Sequence, residues 1–250
     1  MNSNERDSHR LRSPNYGSRL RIGMILAEGN YCSEPDSHAI LPNGVSLHTT
    51  RIALSGVDTK SLRGMLDEAE KAATLLIRTQ PGLIVFHCTA ASTVDPDVGD
   101  TVAQRIKIAT GINSTTTSQA LITALRSLNA RKIVLLSPYE ENVNGSEIIF
   151  FRHHGVEVIK EKSFPPAPGG RYADATPQEW KDRALSMRDS NAEAYFLSCT
   201  NIRCISVIQE LESEIGRPVI TSNSATIWHM LRMGGIQDSV EGYGQLLRMH

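Results

Sequence analysis

Two stretches decide how this chain folds: LIVFHCTAAS, Leu83 to Ser92, and AYFLSCTN, Ala194 to Asn201. Each runs apolar, mostly β-preferring residues into a cysteine followed by a threonine. The pattern predicts a strand that ends by holding a thiol up to a ligand. It recurs within a wider self-match. Shifted by 111 positions, Cys88-Thr89 falls on Cys199-Thr200, Arg21-Ile22 on Lys132-Ile133, and Gly44-Val45 on Gly155-Val156. Three matches at one offset predict a duplicated α/β unit and two similar lobes related by a pseudo-twofold axis. Chance likeness between β-strands is the bland alternative.

Apolar runs predict strands at Arg21–Ala27, Val45–Ile52, Leu83–Cys88, Lys132–Ser137, Val156–Lys160, Ala194–Cys199 and Pro218–Thr221. Between them Ser61–Arg78 carries Leu62, Met65, Leu66, Ala69 and Ala72/Ala73 at helical spacing. Thr176-Pro177-Gln178-Glu179 opens a helix to about Arg188. Arg203–Ile215 puts Ile205, Ile208, Leu211 and Ile215 on one face and stops at Gly216 and Pro218. Thr115 to Ser118 reads as the cap of a helix over Gln119–Leu128, with one hydroxyl near the cleft. Near-continuous apolar strands alternating with helices mean α/β architecture with doubly wound parallel sheets. The expected division is a disordered leader over 1–18, a first lobe of 19–122 plus 222–250, and a second of 123–221. The active site lies in the cleft between the lobes.

The bulk numbers narrow the functional classes. The 250 residues carry a net charge of −1 with no basic run, so nothing points to nucleic acid. No apolar segment reaches the ~18 residues of a membrane helix, and the polar N-terminus lacks a signal-peptide core. Four cysteines are too sparse for a disulfide framework, which makes a cytoplasmic protein with reduced thiols the default.

In parallel α/β sheets ligands bind beyond the carboxyl ends of strands. Cys88 and Cys199 are both predicted there, each before a hydroxyl residue and a helix. Helix N-termini lower a thiol pKa and aim backbone N–H groups at an anion. The hydroxyls of Thr89, Ser92 and Thr200, the Asn201 amide and the N–H groups around Ala90 add donors for a carboxylate. Two thiols across a small acid suit racemisation or isomerisation without metal or cofactor: one as thiolate takes a proton or adds to carbon, the other gives a proton from the opposite face. Packing is the competing reading, since free cysteines are often buried. Cys204 is expected one turn into a helix and in the core, and Cys32 in a loop near the cleft. There is no C-x-x-C pair for zinc, and no nucleotide-binding glycine pattern. His153-His154 reads as surface. A hydrolase pairing a thiol with His87, His48 or His229 stays open, although His87 faces away from Cys88 on a strand. So does a non-catalytic binder of small acids.

From about Arg21 onward the chain resembles the aspartate/glutamate racemase superfamily, in its maleate cis–trans isomerase and arylmalonate decarboxylase branch. RIGMILAEGNYCSE is similar to the first strand and its Asn-containing loop, LIVFHCTAAS to the first cysteine motif, LLSPYEENVN to the first strand of the second lobe, and FLSCTNIR with GRPVITSNSATIWHMLR to the second cysteine motif and the return into the last helix. The resemblance implies an Asp/Glu racemase-like fold and substrate-binding roles for Asn30, Tyr139 and Asn144. It implies that one cysteine adds to a double bond while the other handles a proton, or that both exchange a proton at Cα in a racemase. Decarboxylases of the branch lack the first cysteine, and this chain has both. It also implies a homodimer. The segment FPPAPGGRYADATPQEW, Phe164 to Trp180, departs from the pattern: it has Asp174 where maleate isomerases carry a substrate-binding Asn. An acid there would disfavour a dicarboxylate, unless Asp174 is a solvated turn residue. FHCTAAS and PYEENVN are also similar to ectoine-utilisation members, whose substrates would be diamino-acid derivatives. Pro165 to Gly170 reads as a mobile loop that could close over the site.

Overall fold

The structure, a computed structural model, describes residues 15–250, so all but the last four residues of the expected leader lie outside the described residues. Along the chain it runs β1 (Leu20–Ala27), α1 (Ser33–Ile40), β2 (Val45–Ile52), α2 (Thr59–Asp67), α3 (Ala69–Thr74), β3 (Leu83–His87), α4 (Thr89–Ser92), α5 (Val98–Thr110), β4 (Ser114–Thr116) and α6 (Thr117–Ser127). It continues with β5 (Lys132–Ser137), α7 (Glu141–His153), β6 (Glu157–Ser163), α8 (Pro177–Ser186), β7 (Ala194–Leu197), α9 (Ile208–Ile215), β8 (Val219–Thr221), α10 (Ser222–Met233) and α11 (Gln245–Met249).

The strands form two four-stranded parallel sheets with matching orders, β2-β1-β3-β4 and β6-β5-β7-β8. The duplication extends to the register. Ile22 pairs with Leu83, and 111 residues on Ile133 pairs with Ala194. Arg21 pairs with Ser46, and Lys132 with Glu157 at the same offset. A bulge between Ile133 and Val134 then slips β6 by one residue. The last strands keep the pairing at a shorter offset: Phe86 faces Thr116, and its counterpart Leu197 faces Thr221. Gly44 and Gly155 turn into β2 and β6 at φ +85° and +78°, a backbone that L side chains resist.

Each sheet buries an apolar interior. Ile22, Met24, Ile84 and Phe86 are fully buried in the first, as are Ile133, Leu135, Phe196 and Leu197 in the second. Each such side chain contributes about 1.5–3 kcal/mol by leaving water. Phe151 of α7 meets Phe196 edge-on at 5.5 Å. Both β4 and β8 hand over to helices through capping boxes, Thr116 with Gln119 and Thr221 with Ser224. Helix α10 leaves the second sheet and packs on α6, α1 and β3, tying the halves together.

Several elements differ from their sequence outlines. The helix expected over Ser61–Arg78 breaks at Glu68 into α2 and α3, followed by a 3-10 turn over Ile77–Thr79. Cys204 does not lie in a helix: it precedes a 3-10 turn over Ile205–Val207, and α9 begins only at Ile208. Strand β4, three polar-leaning residues, has no counterpart among the expected strands. Among the described residues no helix is long and apolar enough to cross a membrane.

Candidate functional site

The carboxyl ends of β1, β3, β5 and β7 meet at a cavity of about 210 Å³. Cys88 and Cys199 both line it, one from each sheet. Asn30 and Ala90 line it from the first half, Tyr139, Thr200 and Asn201 from the second. Leu54, Val57 and Leu62 make an apolar wall, and among the described residues Glu28 is the one charged residue on the lining. No described lysine, arginine or histidine lines it, so an anion there is held by neutral donors. Two larger surface grooves elsewhere have no cysteine on their described lining.

The two thiols differ in backbone. Cys88 is extended, at φ −153°, and is the N-cap residue of α4. Cys199 sits at φ +104°, which a side-chain-bearing residue adopts only when its surroundings force it. The Cys199 N–H donates to Ser222 Oγ at 3.1 Å, and the Asn201 N–H donates to Cys199 Sγ at 3.3 Å. Tyr139 lines the cavity beside this sulfur. No helix follows Cys199 directly, contrary to the expectation that both cysteines precede one.

Electrostatics correct a second expectation. Burial pushes the Cys88 thiol up to about 11, against the pull of the Ala91 and Ala90 amides. Burial pushes Cys199 up to about 12, against the Tyr139 hydroxyl and the Asn201 amide. The donors are in place, but desolvation outweighs them, and both sulfurs are held as thiols near neutral pH.

Other sequence candidates fall outside the lining. The Thr89 hydroxyl donates to Ser222 Oγ at 2.8 Å and is fully buried. Ser92 Oγ donates to the Thr89 carbonyl and accepts from the Ser118 N–H. Asn144 accepts from Ser137 Oγ at 2.7 Å and donates to Glu161. These three brace the loops that carry Cys88 and Tyr139, because their side-chain groups are already engaged. Thr116, Thr117 and Ser118 likewise bond within the scaffold. Asn30 lines the cavity, yet its Nδ2 donates to Thr200 Oγ1 at 3.0 Å and its Oδ1 accepts from Cys32 and Ser33. Asp174 is turned away: it pairs with Arg171 at 3.0 Å, whose backbone and side chain hold its carboxyl below the usual range. It therefore gives no argument against a dicarboxylate. Pro165, Pro166, Ala167 and Gly170 line a neighbouring surface groove, while Tyr172 reaches the cavity and meets Tyr139 edge-on at 5.5 Å.

The hydrolase alternative lacks its base. His87 Nδ1 bonds Thr117 Oγ1 at 2.8 Å and its Nε2 bonds Asn223 Oδ1 at 2.9 Å. His48 bonds Ser46, and His229 lines a different groove. Among the described residues no group of three or more His, Cys, Asp or Glu is placed to hold a metal. Ser222, Asn223 and Tyr172 are functional neighbours that the sequence does not single out. For Ser222 and Asn223 the one signal is position, since TSNS at 221–224 repeats the strand-to-helix handover of TTSQ at 116–119; Tyr172 has none.

Comparison with known proteins agrees with this arrangement. The family model described as arylmalonate decarboxylase matches residues 22–247. The maleate isomerase of Geobacillus stearothermophilus is 24% identical over 243 residues, 91% of this chain and 97% of that protein. The arylmalonate decarboxylase of Bordetella bronchiseptica is 32% identical over 158 residues, 58% of this chain and 61% of that protein. A variant of Nocardia farcinica maleate cis-trans isomerase, solved with a covalently bound succinylcysteine intermediate, superposes with a TM-score of 0.87 at 21% identity, covering 92% of this chain and 99% of that one.

Proposed function

The chain belongs to the arylmalonate decarboxylase family, and from that membership we propose that it is a cofactor-independent isomerase of a small carboxylic acid, with maleate as the leading substrate. The observation that carries this reading is the pair Cys88 and Cys199 on one cavity. Whole-length similarity to maleate isomerases supports the substrate.

In this reading Cys88 is the nucleophile. It is the N-cap residue of α4, and a helix N-terminus favours a thiolate. With one proton lost from the pair, the Cys88 thiolate adds to one alkene carbon. The C–S bond forms as the π electrons move to the neighbouring carbon, which takes the Cys199 proton. The central bond is now single and rotates. The Cys199 thiolate recovers the proton, the C–S bond breaks, and the trans acid leaves with both cysteines restored. Tyr139 and the Ala90 N–H, both on the lining, hold the carboxylates, while Asn201 braces the facing loop. The apolar wall of Leu54, Val57 and Leu62 keeps water from the adduct. All four cysteines are free thiols, which supports a reducing cytoplasmic setting. A homodimer is the assembly expected from the family.

The test is conversion of maleate to fumarate followed by proton NMR. Cys88→Ala and Cys199→Ala should each lower kcat by at least about a thousandfold. In Cys199→Ser, mass spectrometry should find a succinyl adduct on Cys88. An adduct on Cys199 in Cys88→Ser, with none in the converse variant, would reverse the roles. No turnover of maleate, alongside turnover of an arylmalonate or a diamino acid, would move the protein to another reaction of its family.

A further inference from the structure

The peptide bond between Thr200 and Asn201 is unusually well held at its oxygen. The Thr200 carbonyl accepts from Asn30 Nδ2 at 3.2 Å, from Asn223 Nδ2 at 3.2 Å, and lies 3.0 Å from the Ser33 hydroxyl. A carbonyl has two lone pairs, which the two amides fill, and the Ser33 hydroxyl bridges this oxygen and Asn223 Oδ1 at 3.2 Å. The other end of the same peptide is the Asn201 N–H, which donates to Cys199 Sγ. Donors on a peptide oxygen draw electrons from its nitrogen and strengthen the N–H as a donor.

We propose that Asn223 and Ser33 are positioning residues for Cys199: they fix and polarise the Thr200–Asn201 peptide so that its N–H binds the sulfur more strongly as a thiolate than as a thiol. Neither side chain lines the cavity. Both are buried, at 2% and 0% exposure, and come from different elements, the first turn of α10 and the first residue of α1. Asn223 is itself held on two sides. Its Nδ2 donates to Asp36 Oδ2 at 2.6 Å, and its Oδ1 faces His87 Nε2. The Asp36 carboxylate pulls on the Asn223 amide, which leaves the amide's orientation no freedom. The neighbouring Ser222 takes the Cys199 N–H, so the first two residues of α10 grip the strained turn from both ends. This serves the proposed chemistry directly, because Cys199 must hold a negative charge each time it gives up its proton.

The inference rests on Cys199 being a reacting thiol, and it can be read without any substrate. The protein is alkylated with iodoacetamide at pH 8, and Cys199 labelling is quantified against Cys88 by peptide mass spectrometry. In Asn223→Ala the Cys199-to-Cys88 ratio should fall about tenfold, as for one unit of pKa. Ser33→Ala should lower it severalfold. A role confined to packing would do the opposite, since a loosened turn exposes the sulfur and speeds its labelling. An unchanged or raised ratio in Asn223→Ala overturns the proposal. Should that variant fail to fold, Ser33→Ala decides on the same criterion. If maleate is not the substrate, the ratio is unaffected, so failure of the reaction assignment and failure of this inference are told apart.

Discussion

Two acids sit at equivalent places in the two halves, half-buried Asp36 in α1 and, 111 residues on, fully buried Glu147 in α7. Asp36 accepts from Asn223, and burial raises it to about 6. Glu147 accepts from Ser198 Oγ at 2.6 Å, its Oε2 has no partner among the described residues, and burial raises it to about 8. A raised acid stabilises the fold below its unfolded pKa, near 4.5 for Glu147, and that stability is lost as pH rises toward 8. While the folded chain keeps a proton the unfolded one has shed, each pH unit costs about 1.4 kcal/mol. The melting temperature should therefore fall between pH 6.5 and 8, and Glu147→Gln should flatten that slope whatever its absolute stability. Equal slopes in the two proteins would show that Glu147 is ionised. Nothing in the sequence marks Glu147, because one acid in an amphipathic helix reads as a solvated face. Thr89, Ser92 and Asn144 are the reverse case: they read as ligand donors, and their polar groups serve the scaffold rather than the cavity lining.

Among the elements, the contact between α5 and α6 is the least forgiving. A Cβ on Gly99 would overlap Ser118 Oγ and sit 2.9 Å from Thr116 Oγ1, the cap of α6. Gly99→Ala should cost about 1–3 kcal/mol, read as a thermal midpoint lower by several degrees. An unaltered midpoint would mean that α5 shifts freely and that the cap is not under compression. The long apolar strands β1, β3, β5 and β7 are legible because runs such as LIVFH and AYFL have no other comfortable place than a two-sided sheet. β4 is not legible: Ser114-Thr115-Thr116 is short and polar, and only pairing with β3 makes it a strand. The segment Ser61–Arg78 reads as one continuous helix because its apolar spacing persists through Glu68, where the backbone nevertheless turns at φ −90°, ψ −1°.

At the scale of the whole molecule, two loops lock across the cavity. Asn30 Nδ2 donates to the Thr200 carbonyl and hydroxyl. In return Asn201 donates to the Gly29 carbonyl at 3.3 Å and accepts from the Tyr31 N–H at 3.1 Å. Asn201→Ala removes both return bonds. It should weaken kcat/KM roughly thirtyfold, mainly through KM, since each of the two lost bonds is worth about 1 kcal/mol. A change confined to kcat would place Asn201 in the chemistry instead of the closure. The two-lobed plan is visible from the 111-residue echo, because duplicated strands keep their register. The locking loops are not, because their bonds join residues about 170 positions apart. The paired sheets carry one more consequence. All strand pairing among the described residues stays within residues 20–116 or 132–221, so the link over 128–131 joins two complete sheets. A chain severed there should behave as a split protein. The halves would be poorly behaved alone, since α10 is made by one fragment and seated on the other, and coexpression would reassemble them into one active particle.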